Sequence, residues 1–188
     1  KLFLGYSIRM RIIAGDLRGR RLYPPTNLPV RPTTDMAREA LFNILRNRVE
    51  FEEADVLDLF SGTGAVSFEF ISRGARQVTA IDQNPKCVDF QRQMAEKFGV
   101  RNLFPLRMDV FNFLGRSKQS FDLVFADPPY ELKQFDLIPE LILPTFLKPG
   151  GLFILEHSAQ HKFDSKPFFI EQRHYGKVNF SFFQIEEE

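Results

Sequence analysis

From residue 56 onward, short apolar runs alternate with stretches in which apolar residues recur at helical spacing. Parallel strands need long crossovers, usually helices, so this alternation predicts a doubly wound α/β fold. Tyr175 and Gly176 join the last two runs, which favours an antiparallel hairpin on the sheet edge. The predicted strands are 56–60, 78–81, 103–107, 121–126, 152–155, 168–170 and 178–183. We therefore expect a seven-stranded, mostly parallel sheet with its last strand antiparallel.

The first predicted strand runs into a glycine turn. It carries Asp58, ends in Phe60 and leads through Gly62 and Gly64 into a helix. Two glycines in such a turn let a ligand approach the backbone closely, but the full G-x-G-x-x-G pattern is absent. The Asp58 carboxylate would repel a pyrophosphate and suits a cationic amino-acid group instead. The alternative is a turn that only packs helix against strand.

Acidic residues also follow the next two strands. Asp82, with Gln83 after it, ends the second strand, where a carboxylate can accept both ribose hydroxyls of an adenosine. Met108, Asp109 and Val110 follow the third, where a carboxylate can bind an adenine amino group and apolar side chains can sandwich its ring. With the acidic first strand, this set favours S-adenosylmethionine over NAD as the cofactor.

A rigid tetrapeptide follows the fourth predicted strand. Two consecutive prolines remove two backbone donors and fix φ twice, so the turn holds its carbonyls beside a carboxylate and an aromatic ring. These groups can hold a flat base that carries an exocyclic amino group. The candidate catalytic residues are Asp127, Pro128, Pro129 and Tyr130. The alternative is a stiff turn with a partly buried tyrosine.

The net charge of +1 conceals an asymmetry along the chain. Residues 1–50 carry ten Lys and Arg against four Asp and Glu, whereas residues 51–188 carry fifteen against twenty. A basic N-terminal part followed by an acidic remainder indicates contact with a polyanion, although a solvated basic face is the alternative. Two extended runs around a glycine turn predict an N-terminal β-hairpin. Its candidate residues for contacting the polyanion are Arg11, Arg18, Arg20 and Arg21.

The start of the first predicted helix offers a second set of contacts for the polyanion. Helix N-termini bind phosphates, although simple capping explains the same residues. This set comprises Arg31, Thr33, Thr34 and Arg38.

The domain boundaries follow from these patterns. We expect an extension over residues 1–9, a basic hairpin and linker over 10–34, and a cofactor-binding domain over 35–188. The single cysteine, Cys87, excludes an internal disulfide and indicates a reducing, cytoplasmic location. One cysteine and three scattered histidines do not support a metal cluster, and no apolar run is long enough to span a membrane.

Residues 56–157 resemble the class I S-adenosylmethionine-dependent methyltransferases, which have a Rossmann-like fold, and DPPY at 127–130 resembles the subset that methylates exocyclic amino groups. From Met10 onward, the chain resembles the bacterial small-subunit ribosomal RNA (guanine-N2)-methyltransferases of the RsmD type. The shared segments are MRIIAG at 10–15, RPTTD at 31–35, REALFNIL at 38–45, LDLFSGTG at 57–64, DPPY, EH at 156–157 and YG at 175–176. Gln83 departs from the residue common in that family.

The resemblance implies methyl transfer from S-adenosylmethionine to N2 of one guanine in 16S ribosomal RNA, without a metal. The implied partner is the RNA within a ribosomal subunit or an assembly intermediate, and the protein is expected to act as a monomer. One alternative is an amino-methyltransferase acting on adenine N6 or cytosine N4 of DNA or RNA, although no domain for reading duplex DNA is evident. Another is a non-catalytic RNA-binding assembly factor that keeps the fold.

Overall fold

A computed structural model of the chain describes residues 10–25, 28, 34–143 and 145–186. The predicted extension over 1–9 and most of the predicted linker lie outside the described residues. Within these ranges, no helix combines the length and apolar character that a membrane crossing requires. The strands are β1 Met10–Arg11, β2 Arg21–Leu22, β3 Asp55–Leu59, β4 Gln77–Asp82, β5 Leu103–Arg107, β6 Phe121–Ala126, β7 Leu147–His157, β8 Phe169–Tyr175 and β9 Val178–Gln184. The helices are α1 Asp35–Leu45, α2 Ala65–Ser72, α3 Pro85–Phe98, α4 Val110–Arg116 and α5 Ile138–Ile142.

The main sheet has the order β5-β4-β3-β6-β7-β9-β8. The first five strands in that order are parallel, and β9 runs antiparallel to both β7 and β8. This arrangement confirms the predicted doubly wound, mostly parallel seven-stranded sheet with an antiparallel last strand. The sequence of Val178–Phe183 predicts burial of alternate residues, but all six are buried. Side chains on the two faces of β9 pack into different hydrophobic cores.

Two hydrophobic cores cover the two faces of the sheet. Helices α1, α2 and α3 pack on one face around residues such as Phe42, Phe68 and Met94. Helices α4 and α5 pack on the other around residues such as Phe113 and Ile142. Burial on both faces explains why β3 reads as a continuous apolar run broken only by its aspartates.

The N-terminal residues form the predicted hairpin, with Met10 opposite Leu22 and Arg11 opposite Arg21. The hairpin lies against α2, whose residues 66–72 are all buried because the sheet covers one side and the hairpin the other. The Glu69 carboxylate accepts hydrogen bonds from the backbone N–H groups of residues 13 and 14, at 2.8 and 3.1 Å. The hairpin is therefore tied to α2 through its main chain.

The strand order of the sheet reverses between two central strands, β3 and β6, whose carboxyl ends lie side by side. Helices return the chain outward from β3 to β4 and β5 on one side, and β6 then begins the other side of the sheet. Leu59 pairs with Ala126 in the last parallel register position of β3 and β6. Ligands of open α/β sheets bind at this reversal point, beyond the carboxyl ends of the strands.

Candidate active site

A cavity of about 470 Å³ opens at the carboxyl ends of β3, β4, β5 and β6. It brings together most of the predicted cofactor and catalytic residues, from four separate loops. Those that line it are Asp58, Phe60, Gly62, Asp82, Gln83, Asp109, Val110, Asp127, Pro128, Pro129 and Tyr130. Gly64 and Met108 do not line it. Sequence reasoning did not select Met10, Thr63 and Phe111, which also line the cavity.

The glycine turn after β3 has the backbone geometry that its sequence predicts. Gly62 and Gly64 have φ values of 53° and 78°, and the Gly64 N–H donates to the Ser61 carbonyl at 2.8 Å. A Cβ atom at Gly64 would lie 2.9 Å from Cγ of Gln91, whose amide nitrogen donates to the Ser61 hydroxyl and the Gly62 carbonyl. Gly64 thus shapes the turn without facing the cavity.

Asp58 is the buried carboxylate of the site, with 1% of its surface exposed. Its Oδ2 atom accepts a hydrogen bond of 2.5 Å from the hydroxyl of Ser67, a residue of α2 that sequence reasoning did not select. Burial raises the pKa of Asp58 to about 7, and the negative charge of Asp82 adds to the effect while Ser67 opposes it. A carboxylate that is costly to ionise alone is stabilised by a cation placed beside it.

Asp82 holds two backbone segments in place. Its carboxylate oxygens accept hydrogen bonds of 2.8 Å from the N–H groups of Gly62 and Asn84. Each carboxylate oxygen has further acceptor capacity, so these bonds orient Asp82 without exhausting it. The side chain that ends β4 therefore fixes the glycine turn that follows β3.

The loop after β5 supplies a carboxylate and an aromatic wall. Asp109 is the N-cap of α4 and accepts the N–H of Asn112 at 2.9 Å, so part of its function is structural. Phe111 lies edge-on to Phe60, with ring centroids 6.4 Å apart. Met108 joins this loop to the end of β4 through its backbone, since its N–H donates to the Asp82 carbonyl at 3.1 Å.

The predicted catalytic tetrapeptide leaves the sheet directly after β6. The Asp127 N–H donates to the Leu59 carbonyl at 3.3 Å, which ties the tetrapeptide to the end of β3. The half-buried Tyr130 ring meets Phe135 edge-on at 6.3 Å, and Phe135 stacks on His161 at 4.0 Å. This aromatic support was not predicted: Phe135 follows Tyr130 closely, but His161, which stacks on Phe135, comes from a loop more than 25 residues further along the chain.

His157 has a structural role. It is fully buried, and its ring nitrogens contact the Ser158 carbonyl and the Ser181 hydroxyl, each at 2.8 Å. Burial lowers the pKa of His157, which keeps the ring neutral near pH 7. The histidine therefore joins β7 to β9.

The predicted RNA contacts fall into separate groups. Arg11, Arg18, Arg20 and Arg21 are exposed on the hairpin. Arg11 pairs with Asp35 at 3.2 Å, and the Arg20 guanidinium lies 5.6 Å from the ring centroid of Phe98. Arg31 and Thr33 lie outside the described residues.

Two residues at the start of α1 have structural contacts. Thr34 is exposed and caps α1 by accepting the N–H of Ala37 at 3.2 Å. Arg38 is only 1% exposed, and its Nη2 atom donates to the Arg11 carbonyl at 2.6 Å and to Asp35 at 2.8 Å. The prediction that Arg38 contacts RNA is therefore wrong: its guanidinium is enclosed and anchors the hairpin to α1.

The cavity fits S-adenosylmethionine. The buried Asp58 carboxylate suits the cationic amino-acid end, and Asp82 lies at the neighbouring strand end where ribose hydroxyls would be bound. Phe60, Phe111 and Val110 supply an apolar lining for an adenine ring. No group of three or more His, Cys, Asp or Glu in the described ranges could hold a metal ion.

A reversed strand order with acidic strand ends at one ligand cavity is the architecture of the class I, Rossmann-like S-adenosylmethionine-dependent methyltransferases. Within that class, a family model described as Conserved hypothetical protein 95 matches residues 10–184, and the chain belongs to this family.

Several relatives are named for a function. The Ribosomal RNA small subunit methyltransferase D of Buchnera aphidicola subsp. Baizongia pistaciae is 33% identical over 150 residues, which cover 78% of this chain and 75% of that protein. The protein of the same name from Escherichia coli K12 is 34% identical over 124 residues, which cover 66% of this chain and 62%, less than two thirds, of that protein.

Solved structures show the same fold. The putative methyltransferase yhhF from Escherichia coli is 27% identical with a TM-score of 0.82, covering 96% of this chain and 99% of that one. A Thermus thermophilus 16S rRNA N2 G1207 methyltransferase, in complex with AdoMet and guanosine, has a TM-score of 0.75 at 20% identity, covering 95% of this chain and 50% of that one. At that identity the likeness is one of fold.

Proposed function

We propose that the protein transfers a methyl group from S-adenosylmethionine to the exocyclic N2 of a guanine in 16S ribosomal RNA. One observation carries the proposal: Asp127 and Tyr130 line the same cavity as Asp58 and the glycine turn. The proposed donor and acceptor sites would thus follow neighbouring strands, β3 and β6, which pair in parallel register. The relatives named for small-subunit RNA methylation support the choice of substrate.

The cofactor end of the cavity would hold the methyl donor. When bound, S-adenosylmethionine supplies a methyl group activated by a positively charged sulfur. Asp58 would face its ammonium group and Asp82 its ribose hydroxyls. Asp109 would accept from the adenine amino group, with Gln83 and Val110 beside it. These contacts orient the donor, and no metal ion is required.

The acceptor end would hold the base. The amino nitrogen of guanine is a poor nucleophile because its lone pair is delocalised into the ring. Asp127 and the Pro128 carbonyl would accept hydrogen bonds from this nitrogen and favour its pyramidal form as charge develops, which stabilises the transition state. The methylated nitrogen would then lose one proton to solvent, and S-adenosylhomocysteine would leave as the second product. Pro129 keeps the turn rigid, and Tyr130, supported by Phe135, would stack on an unpaired or flipped base.

The hairpin would contact the RNA backbone through Arg11, Arg18, Arg20 and Arg21, whose guanidinium groups match phosphate geometry. Arg31, Thr33 and Thr34 complete this proposed interface. We propose that the substrate is the RNA within a ribosomal subunit or an assembly intermediate, and that the protein acts as a cytoplasmic monomer.

The deciding experiment uses S-adenosylmethionine labelled in its methyl group. We expect label to enter small-subunit RNA, or subunits, that lack the modification, and the modified nucleoside to be N2-methylguanosine. Label in N6-methyladenosine or N4-methylcytidine would replace the proposed acceptor with another amine. No label in either free RNA or subunits would overturn the RNA methyltransferase proposal.

A further inference from the structure

The first strand of the hairpin reaches the cofactor end of the cavity. Met10 is 4% exposed, and it lines the cavity together with Asp58 and the glycine turn. The Thr63 hydroxyl, between the two glycines of that turn, donates to the Met10 sulfur at 3.6 Å. A residue of the hairpin thus forms part of the wall that the central sheet alone would leave open.

The position of Met10 depends on how the hairpin is seated on α2. Besides the two N–H groups that Glu69 accepts, the Ser72 hydroxyl accepts the N–H of Leu17 at 2.9 Å and donates to the Ala14 carbonyl at 2.5 Å. The Arg38 bond to the Arg11 carbonyl fixes the residue next to Met10. These bonds hold the main chain at Arg11 and along the segment that follows β1.

The hairpin packs on α2 with no space between them at Gly15. A Cβ atom at Gly15 would lie 1.7 Å from the Ser72 carbonyl oxygen, so any side chain there must push the hairpin away from α2. Gly19, in the same hairpin, has nearly the same φ (80° against 81°) but no atom within 4 Å of its Cβ position. The two glycines therefore have the same backbone conformation, which is strained for any other residue, but only Gly15 contacts α2.

We propose that the N-terminal hairpin completes the cofactor site by placing Met10 against the bound cofactor, so that cofactor affinity depends on the seating of the hairpin on α2. The identity of that cofactor rests on the proposed function. The dependence on Met10 and on the seat does not require methyl transfer to RNA, and it can be measured by binding alone.

The direct test replaces Met10 with alanine and measures the binding of S-adenosylhomocysteine by calorimetry. Removing the thioether should weaken binding about tenfold, because alanine is too short to pack against the ligand. The matched control is Met94→Ala, a truncation of a buried methionine on α3 that does not line the cavity. Its affinity should stay within about twofold of wild type, which separates a direct effect on the ligand from a loss of stability.

The seating is tested with the glycine pair. We expect Gly15→Ala to weaken binding of the same ligand by at least the factor found for Met10→Ala, and Gly19→Ala to leave it nearly unchanged. If Gly15→Ala does not fold, the Met10→Ala result still decides the question. Equal affinities of wild type and Met10→Ala would overturn the proposal.

The two proposals fail in different ways. Loss of binding in Met10→Ala together with no methyl transfer to RNA by the wild type would refute the RNA substrate and support the hairpin's place in the site. Wild-type protein that does not bind S-adenosylhomocysteine would refute the cofactor assignment and this inference with it.

Discussion

At the scale of single residues, the proposed methyl-donor end of the cavity contains a buried carboxylate, Asp58, whose ionisation is unfavourable without a positive charge beside it. The raised pKa of Asp58, about 7, means that the folded protein binds this proton more tightly than the unfolded chain does. Stability from this group is full below about pH 4 and is lost as the pH rises through 7. A cationic ligand would restore it.

Asp58→Asn removes this charge. We expect the variant to be more stable than wild type at pH 8, on the order of 2–4 kcal/mol, with the difference shrinking toward pH 4.5. It should also bind S-adenosylhomocysteine much more weakly, since the ammonium group loses its counter-charge. Urea unfolding at the two pH values measures the first effect and calorimetry the second. An identical pH dependence in the two proteins would show that Asp58 ionises normally.

On the proposed function Asp127 belongs to the acceptor end, so its replacement should separate catalysis from cofactor binding. We expect Asp127→Ala to lower methyl transfer at least about 100-fold while S-adenosylhomocysteine affinity stays within about threefold. Asp89→Ala, which removes an exposed carboxylate from α3, is the control and should retain activity. Lost cofactor affinity in Asp127→Ala would mean that the carboxylate serves the donor end instead.

At the scale of elements, the outward face of the hairpin is basic. Replacing Arg18, Arg20 and Arg21 together with glutamine should weaken RNA binding. It should also lower the salt slope of log K by about two, because each phosphate that is no longer neutralised reduces the slope by roughly 0.7. The control replaces the exposed Lys118, Lys162 and Lys177, which changes the net charge equally.

RNA-binding curves recorded at several salt concentrations give the affinity and the salt slope of the arginine variant and of the lysine variant. If affinity and slope fall as far in the lysine variant as in the arginine variant, net charge alone attracts the RNA and the hairpin is not its contact surface.

Arg38 connects three elements from inside the protein. It contacts the hairpin and the start of α1, and its Nε atom lies 3.9 Å from the Glu69 carboxylate of α2. Arg38→Ala should therefore cost about 3–5 kcal/mol of unfolding free energy, because buried partners are left uncompensated. Arg48→Ala, at a partly exposed ion pair with Glu171, should cost less than about 1 kcal/mol. Urea unfolding compares them, and equal costs would contradict the role given to Arg38.

Local patterns predicted the strands, the glycine turn and the acidic strand ends, because each depends on neighbours within one helical or strand period. The seat of the hairpin could not be predicted in this way. Its bonds to Glu69 and Ser72 join residues 55 to 58 apart. A signal was present in α2: Ser67, Glu69 and Ser72 interrupt an otherwise apolar helix, and all three are buried with partners.

At the scale of the whole molecule, the aspartates at the two ends of the sheet have different kinds of partner. At the carboxyl end, Asp58 and Asp82 accept from a hydroxyl and from backbone N–H groups. At the amino end, Asp55 is paired with Arg76 and Lys148, and Lys148 also bridges to Asp122 at 2.8 Å. Burial alone would raise the pKa of Asp55, but the hydrogen bonds from Arg76 and Lys148 outweigh it and lower the pKa.

A lowered folded-state pKa contributes stability above about pH 4, which is lost as the pH falls through the folded value. Lys148→Met should therefore be less stable than wild type at pH 7, and the difference should diminish as the pH falls to 3. Urea unfolding across this range tests the effect. A difference that is the same at pH 7 and pH 3 would assign it to packing of the lysine stem.

Glu69 holds the hairpin by its main chain, through N–H groups that every residue except proline possesses. The outward side chains of the hairpin can therefore change without altering how it is seated. On the proposed function, substitutions on this one surface would alter the contacts with RNA while the cofactor site keeps its structure. Proline at position 13 or 14 is the change that this freedom excludes.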